Sequence, residues 1–305
     1  MSEQTAKRQR PTAARIAPSR PQPRARGPWL AGAAILVVVL VVAGFVVAKA
    51  LQGGPSTPAA GTTSGGGAGS TPAPAAVVRA VATLPASTFD AVGRGTVLAT
   101  PFAVSGTPIS AAGKPLVVYL GAEYCPYCAA QRWAVVAALS RFGTFTGLGA
   151  THSSTVDVYP DTRTFSFHGS TYASPYVSFS PVETASNVVQ GNHYAPLDTP
   201  TALQNRLIRE WDVPPYVPSS SAGAIPFIDY GNRFVSVGAQ YQPQVLQGLS
   251  MQQIAAALRD PQSAIAQDVV GSANSIAATI CRLTHDRPAA VCSSSGVRAY
   301  ARGAS

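Results

Sequence analysis

The sequence predicts an α/β domain, a sheet flanked by helices, carried behind one N-terminal transmembrane helix. Three observations point there. An apolar, β-branched run at 116–120 gives way to Cys125-Pro126-Tyr127-Cys128 and then to helical periodicity. A proline-opened strand, Ile225-Pro226-Phe227-Ile228-Asp229, turns at Tyr230-Gly231-Asn232 and returns over 233–237. The twenty residues 29–48 carry no charge and follow an Arg-rich tail.

Residues 1–28 hold seven basic side chains against one acid, Glu3, a local charge of +6, with almost nothing to bury. Such a segment is expected to be disordered. The run 29–48 is long enough for a bilayer core of about 30 Å, with Trp29 at one interface and Lys49 closing the other. By the positive-inside rule the tail is cytoplasmic and everything after Lys49 lies outside the plasma membrane. A cleaved signal peptide is the competing reading, since Ala48-Lys49-Ala50 has the A-x-A form. The apolar run, however, exceeds the roughly 7–15 residues of a signal h-region. The segment 49–76 is a Gly/Ser/Thr/Pro tether with a reach of roughly 25–30 Å.

The remainder, 50–305, has fourteen basic and twelve acidic residues, so the net charge of +9 belongs mostly to the tail. It is an orientation signal and argues against a nucleic-acid partner. Arg outnumbers Lys nineteen to three amid abundant Ala, Gly and Pro, a bias of high-G+C bacterial coding.

The globular domain is expected over 77–305. Ser87 can cap a short helix, 88–92, ended by Gly93, and 97–104 reads as a strand. After the 116–120 strand, Pro126 suits the first position of a helix. Ala129, Trp133, Val136, Ala137 and Ser140 share a face of it, and Gly143 stands where a C-terminal cap belongs. The free N–H groups and positive dipole at that helix start would stabilise a thiolate on Cys125. Cys128, three residues on, can reach the same sulfur, the geometry of a dithiol–disulfide switch. The residues alone also admit half a zinc site or a structural disulfide. Zinc would need two more ligands, and Cys281, Cys292 and the four scattered histidines offer no paired spacing.

Further on, 147–153 reads as a strand. The alternating segments 164–168 and 176–180 read as an inserted hairpin whose Phe165, Phe167, Val177 and Phe179 are core or a groove lining. A helix follows over 199–211, capped by Thr199, with Leu203, Leu207, Ile208 and Trp211 on one face. A strand may begin with proline because its ladder donor is missing; Pro214 and Pro218 lead into no strand. Helices at 250–259, capped by Ser250, and 262–284, with a stripe of Ile265, Val269, Ala273, Ile276 and Ile280, form a C-terminal extension. Cys281 and Cys292, eleven residues apart in an oxidising compartment, are expected to form a structural disulfide. A second redox relay pair is the alternative.

Strand, CxxC and helix together resemble the thioredoxin-like superfamily, and the inner Pro-Tyr matches glutaredoxins. GAEYCPYCAAQRW, IPFIDYGNRF and the N-terminal anchor resemble, over roughly 85–260, a narrower actinobacterial and archaeal group. That group is the membrane-anchored family catalogued as domain of unknown function 929. The resemblance implies a thioredoxin-like sheet flanked by helices, with an inserted β-hairpin and helix region. It implies Cys125 as nucleophile and Cys128 as resolving thiol. Pro226 would be the cis-proline facing them, and the Ile225 backbone would pair with a substrate chain, with Tyr124 and Tyr127 beside it. One departure is Tyr119, which stands where thioredoxin has a buried carboxylate; Glu123 is the candidate stand-in.

The function expected is thiol–disulfide exchange with extracytoplasmic protein thiols and disulfides, with a membrane redox partner and without cofactor or metal. The alternative is a tethered binding module whose CPYC merely staples the scaffold. On the expected topology, a membrane-impermeant thiol reagent should label the reduced domain on intact spheroplasts. Labelling only after lysis, or a mature N-terminus at Leu51, would overturn it.

Overall fold

The computed structural model describes residues 70–301. The expected tail (1–28), transmembrane helix (29–48) and most of the tether (49–76) lie outside them. Among the described residues no single helix is long and apolar enough to cross a membrane.

The chain runs from β1 (Thr71–Pro72) through α1 (Ala75–Ala82) and α2 (Ala86–Val92) to β2 (Phe102–Ala103) and β3 (Ser110–Ala111). Then come β4 (Lys114–Gly121) and α3 (Pro126–Leu139). A strand-rich stretch follows: β5 (Thr144–Thr146), β6 (Gly149–His152), β7 (Arg163–Ser166), β8 (Thr171–Ala173), β9 (Ser178–Glu183), β10 (Ala185–Gln190) and β11 (His193–Pro196). After α4 (Ala202–Trp211) come β12 (Phe227–Tyr230) and β13 (Phe234–Val237). Helices α5 (Met251–Ala257), α6 (Ala264–Leu283), α7 (Ala289–Cys292) and α8 (Ser295–Ala301) complete the chain.

The central sheet has the order β9–β4–β12–β13–β2, with β3 against the start of β4. β9 runs parallel to β4, and β12 antiparallel, with Phe227 opposite Leu120. A strand buried on both faces reads as a continuous apolar run, and β4 shows why. Val117 and Tyr119 pack into one core with α3 and α6, while Leu116, Val118 and Leu120 pack into another with Leu207 and Trp211 of α4. The result is three layers with β4 at their centre.

Helix α3 is buried all round, with only Tyr127 exposed. The single face read from the sequence was too narrow, because the sheet, β7 and α6 enclose the helix. Its five alanines between 129 and 138 leave room for that enclosure. The expected stripe of α6 is largely core: Val269, Ala273, Ile276 and Ile280 are buried.

Several local expectations change. Segments 164–168 and 176–180 do not form a hairpin together: β7 pairs with β6, and the second segment opens β9, a strand of the central sheet. Period-two alternation locates a strand without naming its partner. Phe165, Phe167 and Val177 are core all the same, with Phe179 packed on them. The insertion consists of β6–β7, β5–β8 and β10–β11 pairs. Only Phe102–Ala103 of the expected 97–104 strand forms. Pro85, not Ser87, precedes α2, and Thr201, not Thr199, caps α4 in a reciprocal bond with Gln204. Ser250 does cap α5 in the same way. Ser140 rather than Gly143 caps α3. Gly143 is needed for another reason, since a Cβ there would meet the Ala173 carbonyl at 2.3 Å. Residues 71–76 of the expected tether join the fold through β1, which pairs with β6, and the start of α1.

Cys281 and Cys292 are disulfide-bonded, with Cα atoms 5.6 Å apart, tying the end of α6 to α7. Replacing both with Ser should cost on the order of 2–3 kcal/mol through loop-closure entropy. Calorimetry should then show a fall in Tm of about 4–12 °C; an unchanged Tm would remove the structural role.

Candidate active site at the CPYC turn

Cys125 is the N-cap of α3. Its backbone is extended (φ −76°, ψ 121°), and its Sγ accepts the Cys128 N–H at 3.2 Å, the role a Ser or Asp oxygen plays elsewhere. Pro126 occupies the first helical position, where the missing donor costs nothing. The thiol of Cys125 donates to the Ile225 carbonyl at 3.7 Å. Ile225 precedes a cis Pro226 at the start of β12, and the register of β12 on β4 carries both to the strand end from which Cys125 follows.

The two sulfurs are unequal. Both cysteines are unbonded, Cys125 being 6 % exposed and Cys128 completely buried. The hydrogen bond from Cys128 lowers the Cys125 thiol below its ordinary pKa, against burial, with the Cys128 N–H and the Arg132 charge adding to the effect. Burial pushes Cys128 well up, and its bond to Cys125 pushes it further. Of the two, Cys125 is the thiol that deprotonates more readily, and Cys128 the one that burial holds protonated.

Behind the cysteines lies a buried ion pair that the sequence reading missed. Arg132, one turn after Cys128, donates through Nε and Nη2 to both carboxylate oxygens of Glu183, at 2.7 and 2.6 Å, with both side chains fully buried. Nη2 also donates at 2.7 Å to the Ala122 carbonyl, which accepts the Cys125 N–H as well. Burial raises the Glu183 carboxyl against the pull of Arg132. A signal was present: Arg132 is the only charge in α3, and Glu183 the only one in β9.

Glu123 is buried and accepts the Thr151 hydroxyl at 3.1 Å. Its Oε1, the Tyr119 hydroxyl and Arg132 Nη1 are buried without a hydrogen-bond partner. Tyr119, which the resemblance sets in the place of a carboxylate, is fully buried, and burial pushes its phenol far above the usual value. Gly121 makes room for it: a Cβ there would stand 2.5 Å from the Tyr119 hydroxyl.

The other expected site residues line the rim. Tyr124 stacks on Tyr194 of β11 at 4.3 Å, and Tyr127 meets Tyr159 edge-on at 5.9 Å. Tyr194 donates to Ser154 Oγ, and the Ser154 N–H donates to the Tyr124 carbonyl, both at 2.7 Å. Among the described residues, no cluster of three His, Cys, Asp or Glu could hold a metal ion. A cavity of about 580 Å³ touches the site only through Thr151; its other walls include Thr71, His152, Arg163 and Met251.

Breaking a buried ion pair strands a charge and costs about 3–5 kcal/mol, whereas replacing both partners by apolar groups can be near neutral. Urea denaturation should therefore find Glu183→Gln and Arg132→Met each more destabilising than Arg132→Met combined with Glu183→Leu. Additive losses would show that the pair is not coupled.

No curated protein and no solved structure matches the chain. Residues 100–196, from just before β2 through the CPYC turn to the end of β11, match the model of the family described as Domain of unknown function (DUF929), the group that the sequence resembles.

Proposed function

We propose that the protein is a membrane-anchored thiol–disulfide oxidoreductase of thioredoxin-like architecture, acting on cysteines of extracytoplasmic proteins. One observation carries this reading: a helix-capping sulfur of lowered pKa faces the Ile225 carbonyl beside Pro226, with a buried thiol one turn inside. The order β9–β4–β12–β13, with α3 and α6 on one face and α4 on the other, supports the thioredoxin-like assignment. The charge pattern of residues 1–49 supports the anchor and its direction.

The Cys125 thiolate attacks one sulfur of a client disulfide. A Cys125–client bond forms, the client S–S bond breaks, and the released client thiolate takes a proton from water. Cys128 then gives up its proton and attacks Cys125 Sγ, expelling the second client thiolate. The client gains two electrons, and the protein is left with a Cys125–Cys128 disulfide. Run in reverse, the same steps oxidise a client dithiol; a membrane redox partner resets the pair in either direction. Glu123, buried with one oxygen unpartnered, is the candidate acceptor for the Cys128 proton.

Cys125→Ser should abolish exchange while the fold persists. Cys128→Ala should accumulate disulfide-linked clients on non-reducing gels of membranes, since nothing resolves the intermediate. Iodoacetamide should modify Cys125 of the reduced protein with a midpoint below about 8.5 and leave Cys128 unmodified. Exchange retained by both variants, or clients trapped only when Cys125 is removed, would defeat the reading.

A further inference from the structure

Seven large hydrophobic side chains are exposed among the described residues, and four of them, Tyr127, Val156, Val158 and Val189, lie on segments tied to the CPYC turn. Tyr127 is inside the motif. Val156 (83 % exposed) and Val158 (63 %) are on the loop after β6, whose Ser154 bonds the Tyr124 backbone and whose Tyr159 meets Tyr127. Val188 and Val189 (61 %) are on β10, where Val189 pairs with Tyr194, the residue stacked on Tyr124. These segments belong to the insertion, and β10–β11 is a two-stranded ribbon whose valines no further strand covers.

Single exposed valines need no explanation, but a cluster on one rim marks a binding surface. Charge narrows the occupant. Over 154–160 the only charged residue is Asp157, between the two exposed valines, and 185–196 contains no acid, Lys or Arg. The rim is apolar with one negative charge. Cys125, barely exposed, lies within it, so the occupant must bring its own sulfur to the recessed thiolate.

We infer that the insertion forms a client-docking rim selecting extended protein segments whose cysteine is flanked by apolar residues and not by acidic ones. The inference rests on the exchange reading and adds its substrate class. The apolar flanks cover Val156, Val158 and Val189, while the client disulfide meets Cys125; an acidic flank would be repelled by Asp157 and would strip water from the valines without replacing it.

The reduced full-length protein in detergent should be mixed with disulfide-linked peptides whose cysteine has Val/Leu, Gly/Ser or Asp/Glu neighbours. Each rate is normalised to that protein's rate with the small uncharged 2-hydroxyethyl disulfide. The Val/Leu peptide should react at least about tenfold faster than the Asp/Glu peptide, the equivalent of burying about one valine side chain. The combined variant V156S/V158S/V189S should lose most of that ratio, and L98S, an exposed apolar residue outside the rim, should keep it. Equal rates for the three peptides, or a ratio unchanged in the triple variant, overturn the inference. So does a triple variant that keeps the ratio but loses binding to phosphatidylcholine vesicles, which assigns the rim to the membrane surface. A wild-type protein inert even to 2-hydroxyethyl disulfide defeats the exchange reading itself, and the rim's role with it.

Discussion

The bidentate contact between Arg132 and Glu183 fixes the junction on which the site depends. It joins three elements that the chain visits far apart: α3 through Arg132, the end of β9 through Glu183, and the exit of β4 through the Ala122 carbonyl. Desolvating two charges is expensive, and their attraction at best offsets that cost. The contact therefore adds little to stability for its size, and its use is positional. Because Ala122 also accepts the Cys125 N–H, the guanidinium holds the turn that presents Cys125.

The chemical inequality of the two thiols then follows from local geometry. A helix start leaves N–H groups without partners, and Cys125, as N-cap, is the atom they address. Cys128 is one turn inside a helix enclosed on every side, so its charged form loses solvent and gains little. One motif thus yields a thiol that deprotonates more readily and one that burial holds protonated. The loop of Ile225 and Pro226 completes the arrangement by bringing a backbone carbonyl to Cys125 Sγ.

Much of this was legible in the sequence because the signals were local. The apolar run, Pro126 after Cys125, Pro226 before a short strand and Gly231-Asn232 at the hairpin each encode their conformation within a few residues. The disulfide was legible from the eleven-residue separation together with the oxidising compartment that the charge pattern led one to expect. Pairing was not: the segment 176–180 looks the same whether it closes a hairpin or lies beside β4, and only the packed sheet decides. The site's interior was hidden for a related reason. Arg132 and Glu183 are fifty-one positions apart, and a lone charge on each element reads as a solvated side chain until both elements are enclosed. The tyrosine rim was half visible: Tyr124 and Tyr127 adjoin the cysteines, but Tyr159 and Tyr194 arrive on the insertion.

Tyr119 places a buried phenol beside the dithiol, and the acids of this interior stand on other elements. Two carboxyl groups, Glu123 and Glu183, are buried near the dithiol, and the one buried guanidinium pairs with Glu183 alone. Glu183 takes both Arg132 Nε and Nη2, leaving Glu123 with a hydroxyl from Thr151 and one bare oxygen. The charge of Glu123 in turn adds to the burial that raises Glu183. A thiolate on Cys125 is a further negative charge in the same interior, again leaning on Arg132. Oxidation to the Cys125–Cys128 disulfide removes that charge, and reduction restores it. In the proposed exchange cycle the reduced interior with a Cys125 thiolate would carry one more negative charge than the disulfide form. Arg132 sets this balance because it is the single buried cation among the described residues.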